Sequence, residues 1–352
     1  MTYSREHCET EVVETVRLLS KQYPEIINDL EKKRINLAQY LPKEHLVFSS
    51  ATNLYDIPDD NTVIMRYMDY DKFKYLVERE KLYMSYPRGF SQDSNEGYLI
   101  PDVGRYIDGM LEKVYDQIFT DIKTKRIIVQ GVNFTGIKSV DRDIMRDRCA
   151  KIYKHNLKRF YISCWTERDV DQDNMWNAYI PNPVKRKKAV AIKTTVAKLK
   201  KALHKNLGLF AVTRVKYVDL DEHKIENVDF LAGGMYSLAC YMLKLKSKNY
   251  EDDREIRLIA DNLMTNRTPW YKNGVMSLLG IGKFDYNAET EYEAMNASLD
   301  LEEFIDEIIL SPTSEESFVN EVNQLLTSCN ITGVDVRKST IGVKKAFYWD
   351  RC

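Results

Sequence analysis

The sequence predicts an α+β fold carrying helical additions. Three observations carry that prediction. Strand-like runs recur at irregular intervals with helices of varied length between them, which disfavours both a regular βα repeat and a solenoid. The apolar share is 44% and the charged share 30%, the proportions of a globular chain. Glycine (14) and proline (9) make up 23 of 352 residues, which leaves no room for flexible low-complexity linkers. At roughly 150 residues per domain, this length allows one large domain with an extension or two modest domains.

Taken in order, residues 9–33 place Val12, Val13, Val16, Leu18, Leu19, Ile26, Ile27 and Leu30 at helical spacings broken only by Pro24. Residues 1–58 are therefore expected to form an N-terminal helical extension, and 59–352 an α+β core. Residues 62–68 (TVIMRYM) alternate and are β-branched, so they read as a strand. A helix follows, capped by Asp69 with Phe73, Leu76 and Val77 inward, and then a strand at 82–87 ending at Pro87. Helical stretches at 103–122 and 142–157 flank the apolar IIVQGVNFTG, and a helical insertion over about 103–158 is expected. Beyond it, strands are predicted at 160–165, 189–193, 209–217, 256–260 and 305–310, with a short helix around Met175 and Trp176. Further helices are predicted at 234–246 and 314–328.

Charge and cysteine usage narrow the function classes. Lys plus Arg (52) against Asp plus Glu (53) gives a net charge of −1, so no whole-molecule field draws the chain to nucleic acid or to an anionic membrane. Cys8, Cys149, Cys164, Cys240, Cys329 and Cys352 form no CxxC pair and no zinc spacing, which fits a reduced, cytoplasmic setting. Acids stand where a signal peptide needs an apolar core, and no run reaches 18 apolar residues, so no membrane partner is expected.

The common catalytic signatures are absent: no GxxxxGK[ST], no GxGxxG after a strand, no GxSxG, no HExxH. The acids Glu167, Asp169, Asp171 and Asp173 open like a calcium loop, but Asn174 stands where the turn needs glycine and Ile180 where the bidentate glutamate belongs. Asp219, Asp221, Glu222 and Lys224 imitate a nuclease carboxylate and lysine cluster, which keeps a metal-dependent nuclease as a third reading. Otherwise no metal is expected. Between 185 and 205 lie Lys185, Arg186, Lys187, Lys188, Lys193, Lys198, Lys200, Lys201 and Lys205, with no acid. Two readings follow: a nucleic-acid or partner-binding patch contacted through Lys185, Arg186, Lys187, Lys188 and Lys193, or a solvated face over Val196, Leu199 and Leu203.

Three clusters carry a different pattern. The first is Met65-Arg66-Tyr67, then Leu82-Tyr83-Met84-Ser85-Tyr86-Pro87 with Phe90, Asp93 and Glu96. The second is Ile162-Ser163-Cys164-Trp165 followed by Met175, Trp176 and Tyr179. The third is Tyr250, Asp253, Glu255 and Arg257. Together they resemble a bacterial and phage family known as a domain of unknown function, over roughly residues 60–345. The glycine which that family carries ahead of its Val-Ala-Ile strand is replaced here by Lys188 and Ala189. More distantly, the order of an Arg strand, a Ser strand and a late Glu resembles the ADP-ribosyltransferase architecture, a split mixed sheet holding NAD in a cleft.

That resemblance implies an NAD-consuming ADP-ribosyltransferase-like enzyme or NAD glycohydrolase, an effector in phage–host conflict with NAD as substrate. It also implies a protein or nucleic-acid acceptor and an antitoxin or defence-system partner. Breaking the nicotinamide bond passes through an oxocarbenium-like centre, which a carboxylate beside the ribose stabilises. Glu255 takes that role, Arg66 the diphosphate and Ser85 the support of the glutamate or ribose. Tyr67, Trp176 or Tyr179 stacks on nicotinamide, and Arg257 completes the cofactor contacts; the competing readings are that the rings are core packing and that Glu255 and Arg257 form an ordinary in-strand ion pair. The expectation is that Arg66, Ser85 and Glu255 line one cleft.

Overall fold

The computed structural model describes residues 46–48, 55–87, 100–106, 108–109, 128–129, 132–133, 157, 160–206, 208–225, 238–261 and 294–342. The predicted helices over 9–33, 103–122 and 142–157 lie outside these residues, apart from short helical pieces at 101–106, 108–109 and 157.

The strands are β1 (Leu46–Phe48), β2 (Val63–Asp69), β3 (Lys81–Ser85), β4 (Ile128–Val129), β5 (Val132–Asn133), β6 (Phe160–Thr166), β7 (Ala189–Thr195), β8 (Gly208–Arg214), β9 (Lys216–Val218), β10 (Leu245–Ser247), β11 (Glu255–Asp261), β12 (Ala294–Ser298), β13 (Glu307–Leu310) and β14 (Asp335–Lys338). The helices are α1 (Tyr70–Arg79), α2 (Asp173–Tyr179), α3 (Pro183–Arg186), α4 (Val196–Ala202) and α5 (Glu316–Ser328), with a 3₁₀ turn at Lys248–Asp253. The chain is α+β, and ten strands share one mostly antiparallel sheet in the order β1-β8-β11-β6-β2-β7-β13-β14, with β3 and β12 branching from β6. Only β1–β8 and β13–β14 pair parallel within it. β1 falls inside the stretch expected as a helical extension, and Asp56 is bonded to Thr213 and Arg214 of β8, so the core sheet begins before residue 58.

Alternation along the strands divides the core between two faces. On one face, Ile64 and Met68 of β2, Tyr161 and Trp165 of β6, and Ile256 and Leu258 of β11 pack with α1, α4 and α5. α1 starts where Asp69 accepts the amide of Lys72 at 3.0 Å and stops at Glu80, whose left-handed φ of 50° ends the helix. The opposite face holds two separate cores. One joins Met65 and Tyr67 to Met175 and Trp176 of α2, with Tyr179 packed against it; the other joins Phe160, Ile162 and Ile259 to residues 238–243, with Cys164 packed against it.

Between those two cores the sheet divides. β2 meets β6 only at Met65↔Thr166, and β3 meets the same edge of β6 only at Ser85↔Ile162. After Met65, β2 therefore leaves β6 and a wedge opens, with Tyr67 on one bank and Cys164 on the other.

Candidate functional site

Glu255 heads β11 because Arg254 before it takes a left-handed φ of 43°, turning the chain sharply out of the 3₁₀ turn. Its backbone N–H donates to Tyr217 Oη at 2.7 Å and its carbonyl accepts from Val215. The side chain is 2% exposed, and both oxygens are engaged: Arg257 Nε donates to Oε1 at 2.7 Å and Lys246 Nζ to Oε2 at 2.6 Å. Lys246 also reaches Asp253 at 3.0 Å, and Arg257 Nη1 donates to the Leu243 carbonyl at 2.5 Å. Two acids and two bases thus share one nearly dry volume. Burial alone pushes the Glu255 carboxyl up, but Arg257 and Lys246 outweigh it and hold the group at about 2. A carboxylate so placed is ionised at every physiological pH, which suits charge stabilisation and excludes proton donation.

The row of paired residues across the sheet runs Met65–Thr166–Glu255. At about 4.8 Å per strand, the backbone of Glu255 lies about 10 Å from that of Met65, the neighbour of Arg66. Met65 and Glu255 share a face, whereas Arg66 leaves β2 toward the α1, α4 and α5 side. Its guanidinium fills the wedge instead, donating to Ser163 Oγ and, at 3.1 Å, to the Tyr83 carbonyl, with Trp165 5.7 Å beneath. Arg66 ties β2 to β6 and β3 where no ladder does. Burial lowers its pKa, while the nearby Cys164 and Tyr179 hold it up.

Arg66, Ser85 and Glu255 are therefore not gathered as expected. Ser85 pairs with Ile162, four residues along β6 from the Glu255 row, which is about 13 Å of strand, and its hydroxyl donates to the Tyr86 carbonyl at 3.3 Å. Among the aromatics, Trp176 is fully buried and donates to Asp171 at 3.0 Å, and Tyr67, 4% exposed, accepts from the Gln172 amide at 3.3 Å. They form a ring stack, Trp176 edge-on to Tyr67 at 4.8 Å and Tyr179 parallel to Tyr67 at 5.9 Å. Only Tyr179 is half-buried and offers a surface. Burial pushes its hydroxyl pKa far up, with Glu255, Cys164, Asp253 and Tyr217 adding to the shift. Sequence reasoning found Glu255, Arg257 and Tyr179 and missed Lys246, whose signal was the alternation Leu243-Lys244-Leu245-Lys246 at the end of a predicted helix.

The basic run is compensated. Lys185 pairs with Asp69 at 3.4 Å, Lys188 with Glu321 at 2.7 Å, Lys193 with Glu307 at 3.5 Å, Lys200 with Asp60 at 2.7 Å, Lys201 with Glu303 at 2.6 Å, Lys205 with Asp300 at 3.1 Å, and Lys198 with Asp306. Arg186 donates to Asn177 and to the carbonyls of Ile180 and Pro181. Lys187 alone of the nine has no such contact among the described residues. Seven partner acids come from distant segments, so most of the local positive field expected from the run is offset, and the charges of Arg186 and Lys187 remain. The nuclease-like acids also have a local use: Asp219 accepts the amides of Asp221 and Glu222 in a turn. Among the described residues, no group of three His, Cys, Asp or Glu side chains is placed to hold a metal ion, and no helix is long and apolar enough to cross a membrane.

Compared with known proteins, the chain matches no family model, no curated protein and no solved structure.

Proposed function

We propose that the chain consumes NAD, breaking the bond between nicotinamide and ribose as an ADP-ribosyltransferase-like transferase or a glycohydrolase. The observation that carries this reading is the Glu255 carboxylate, held ionised by Arg257 and Lys246 one strand from the place where the sheet divides. As the bond lengthens, nicotinamide leaves as a neutral base with the bonding electrons, and positive charge grows on the ribose. A fixed carboxylate in a low-dielectric setting stabilises that charge without reorganising. Water or an acceptor hydroxyl or amine then adds to the anomeric carbon and releases a proton.

Glu255 is closed to ligand while Lys246 covers it. Lys246 is the outer of its two cations, 10% exposed against 1% for Arg257, so contact with a ribose hydroxyl requires Lys246 to swing aside. The divided sheet is compatible with the likeness to ADP-ribosyltransferases, whereas the separate placement of Arg66, Ser85 and Glu255 is not what that likeness implies; the setting of a conflict effector restrained by a partner protein is carried over from the likeness alone. The largely compensated basic run lends little support to a polyanion-binding module, since only Arg186 and Lys187 have no acid partner among the described residues.

Nicotinamide release from NAD tests the reading. Glu255→Gln, assayed at a temperature where both proteins are folded, should lose on the order of 100-fold or more in rate. A wild-type chain that releases no nicotinamide, or a folded Gln variant that keeps the rate, removes the proposal.

A further inference from the structure

The end strand of the large sheet, β14, is paired on one side only among the described residues. It follows β13 in unbroken parallel register from Glu307↔Asp335 to Leu310↔Lys338, and it carries neither a proline nor a bulge to blunt its outer edge. Just beyond it the Ser339 N–H donates to the Leu310 carbonyl at 2.8 Å, which fixes the phase of the ladder. Main-chain groups alternate in direction along a strand. Residues 335, 337 and 339 therefore turn theirs to β13, while Val336 and Lys338 turn theirs outward.

The side chains supply a second, independent observation. Val336 and Val334 pack against the core of α1, α4 and α5, so the period of two puts Asp335 and Arg337 on the opposite face. There Lys193 reaches Glu307 at 3.5 Å, and Arg337 Nε donates to the same carboxylate. Asp335 breaks this alternation of charge. It is exposed, stands directly beside Glu307 in the register, acid next to acid, and has no ion-pair partner among the described residues. Arg337 engages only its Nε, so its two terminal nitrogens have no acceptor among the same residues.

We propose that β14 is a dimer interface, pairing antiparallel with β14 of a second copy about a two-fold axis at Val336. In an antiparallel pair, residues with outward main-chain groups face one another, so the axis must pass through a residue rather than between two. An axis on Asp335, Arg337 or Lys338 sets two like charges face to face. On Val336 it sets Asp335 opposite Arg337 of the second copy, and by symmetry Arg337 opposite Asp335 of that copy. These are the non-hydrogen-bonded positions, where side chains approach most closely. Val336 then exchanges both main-chain bonds with Val336 of the second copy, and one sheet runs through both molecules. Each Asp335 gains the cation that its own chain does not provide. The pairing is independent of the NAD-consuming reading.

Sedimentation equilibrium of the full chain tests it, with a monomer–dimer equilibrium expected for the wild type. Asp335→Arg sets arginine against arginine twice in the dimer, and the dissociation constant should rise about tenfold or more. Within its own chain the new side chain meets Glu307, so the unfolding temperature should hold. Adding Arg337→Asp to that variant exchanges the two charges and should return the constant toward the wild-type value. Val336→Pro removes the outward N–H at the axis and no bond to β13, so it should leave a folded monomer. Should that proline unfold the chain, the charge exchange decides alone. A wild-type chain that is monomeric at about 0.1 mM overturns the interface. So does a dimer that Asp335→Arg leaves unchanged, or a double variant that stays as weak as the single one.

Discussion

The cluster around Glu255 and the run from Lys185 to Lys205 are both built of paired opposite charges, but water separates their behaviour. In the first, the side chains of Glu255, Arg257, Lys246 and Asp253 are 2%, 1%, 10% and 18% exposed. In the second, the paired lysines are 25–69% exposed. Coulomb attraction between exposed charges is weakened by solvent and offset by side-chain entropy, and such pairs contribute about 0–1 kcal/mol each. Buried charges have surrendered their hydration, so each depends on its partners, and removing one partner costs about 3–5 kcal/mol. Pairing alone thus does not mark a functional site. A charge set that the fold keeps dry at that cost is the better candidate.

The strongest way to break this contrast is to remove Arg257. Arg257→Met leaves Glu255 with Lys246 alone and frees the Leu243 carbonyl, and a loss on the order of 3–5 kcal/mol is expected in urea unfolding. Adding Glu255→Met to it should recover part of that loss, since the double variant leaves no orphaned carboxylate, and Lys246 keeps Asp253. A single-variant loss under about 1 kcal/mol would place the cluster in the same class as the exposed pairs.

Acid should separate the two regions next. Glu255 titrates near 2 in the folded chain against an ordinary 4.5, so the unfolded chain binds the proton more readily and stability rises with pH between these values. The contribution is fully present above about pH 4.5 and is lost as pH falls through about 2, on the order of 3 kcal/mol in all. Glu255→Gln should flatten this part of the profile. An unchanged slope would mean that Glu255 is not held ionised by its neighbours.

The same contrast explains what the sequence made legible. Strands β2, β6, β7 and β11 and helices α1 and α5 were readable because each buries a regular set of apolar positions, such as Phe73, Leu76 and Val77 in α1. β12 and β14 were missed, since AMNAS and DVRK carry little β-branched character, and β14 is an edge strand whose residues stay partly wet. The predicted strand at 209–217 is two strands, with Val215 bonded instead to the Glu255 carbonyl. Glu255 and Arg257 stood out as a period-two pair in a strand. Lys246 did not, because Leu245, expected at the end of a helix, begins β10. The compensation of the basic run was invisible for another reason: Asp60, Asp69, Asp300, Glu303, Asp306, Glu307 and Glu321 reach it only through the folded sheet. Which face Arg66 takes could not be read either, since it depends on where β2 leaves β6.

Neutralising part of the run should matter little. Replacing Lys185, Arg186, Lys187 and Lys188 by Gln breaks the pairs to Asp69 and Glu321, and about 1–2 kcal/mol of stability is the expected loss. If the run also carried phosphate contacts, nucleic-acid affinity would fall with salt at about 0.9 logarithmic units per contact, and the replacement would flatten that slope. A compensated run predicts the same shallow slope before and after, measured by fluorescence anisotropy with a single-stranded oligonucleotide. A steep slope that the replacement flattens would show that the lysines exchange their carboxylates for phosphates.

The smallest expected effect, and the sharpest comparison, is the response of stability itself to salt. Raising NaCl from 0.1 to 1 M shortens the screening length from about 10 to about 3 Å, which weakens attraction between solvated charges and leaves contacts inside a dry volume nearly unchanged. The exposed pairs of the run should therefore lose most of their contribution in 1 M salt, so the quadruple Gln variant and the wild type should converge in urea midpoint. The gap between wild type and Arg257→Met should stay as wide as in low salt. Hydrophobic burial strengthens somewhat in concentrated salt, but it does so in all three proteins and cancels in the differences. What decides is thus the pattern of gaps rather than any single midpoint. If the Arg257→Met gap closes with salt, water reaches Glu255 in the resting chain, and the carboxylate lacks the low-dielectric surroundings that its part in the proposed reaction needs.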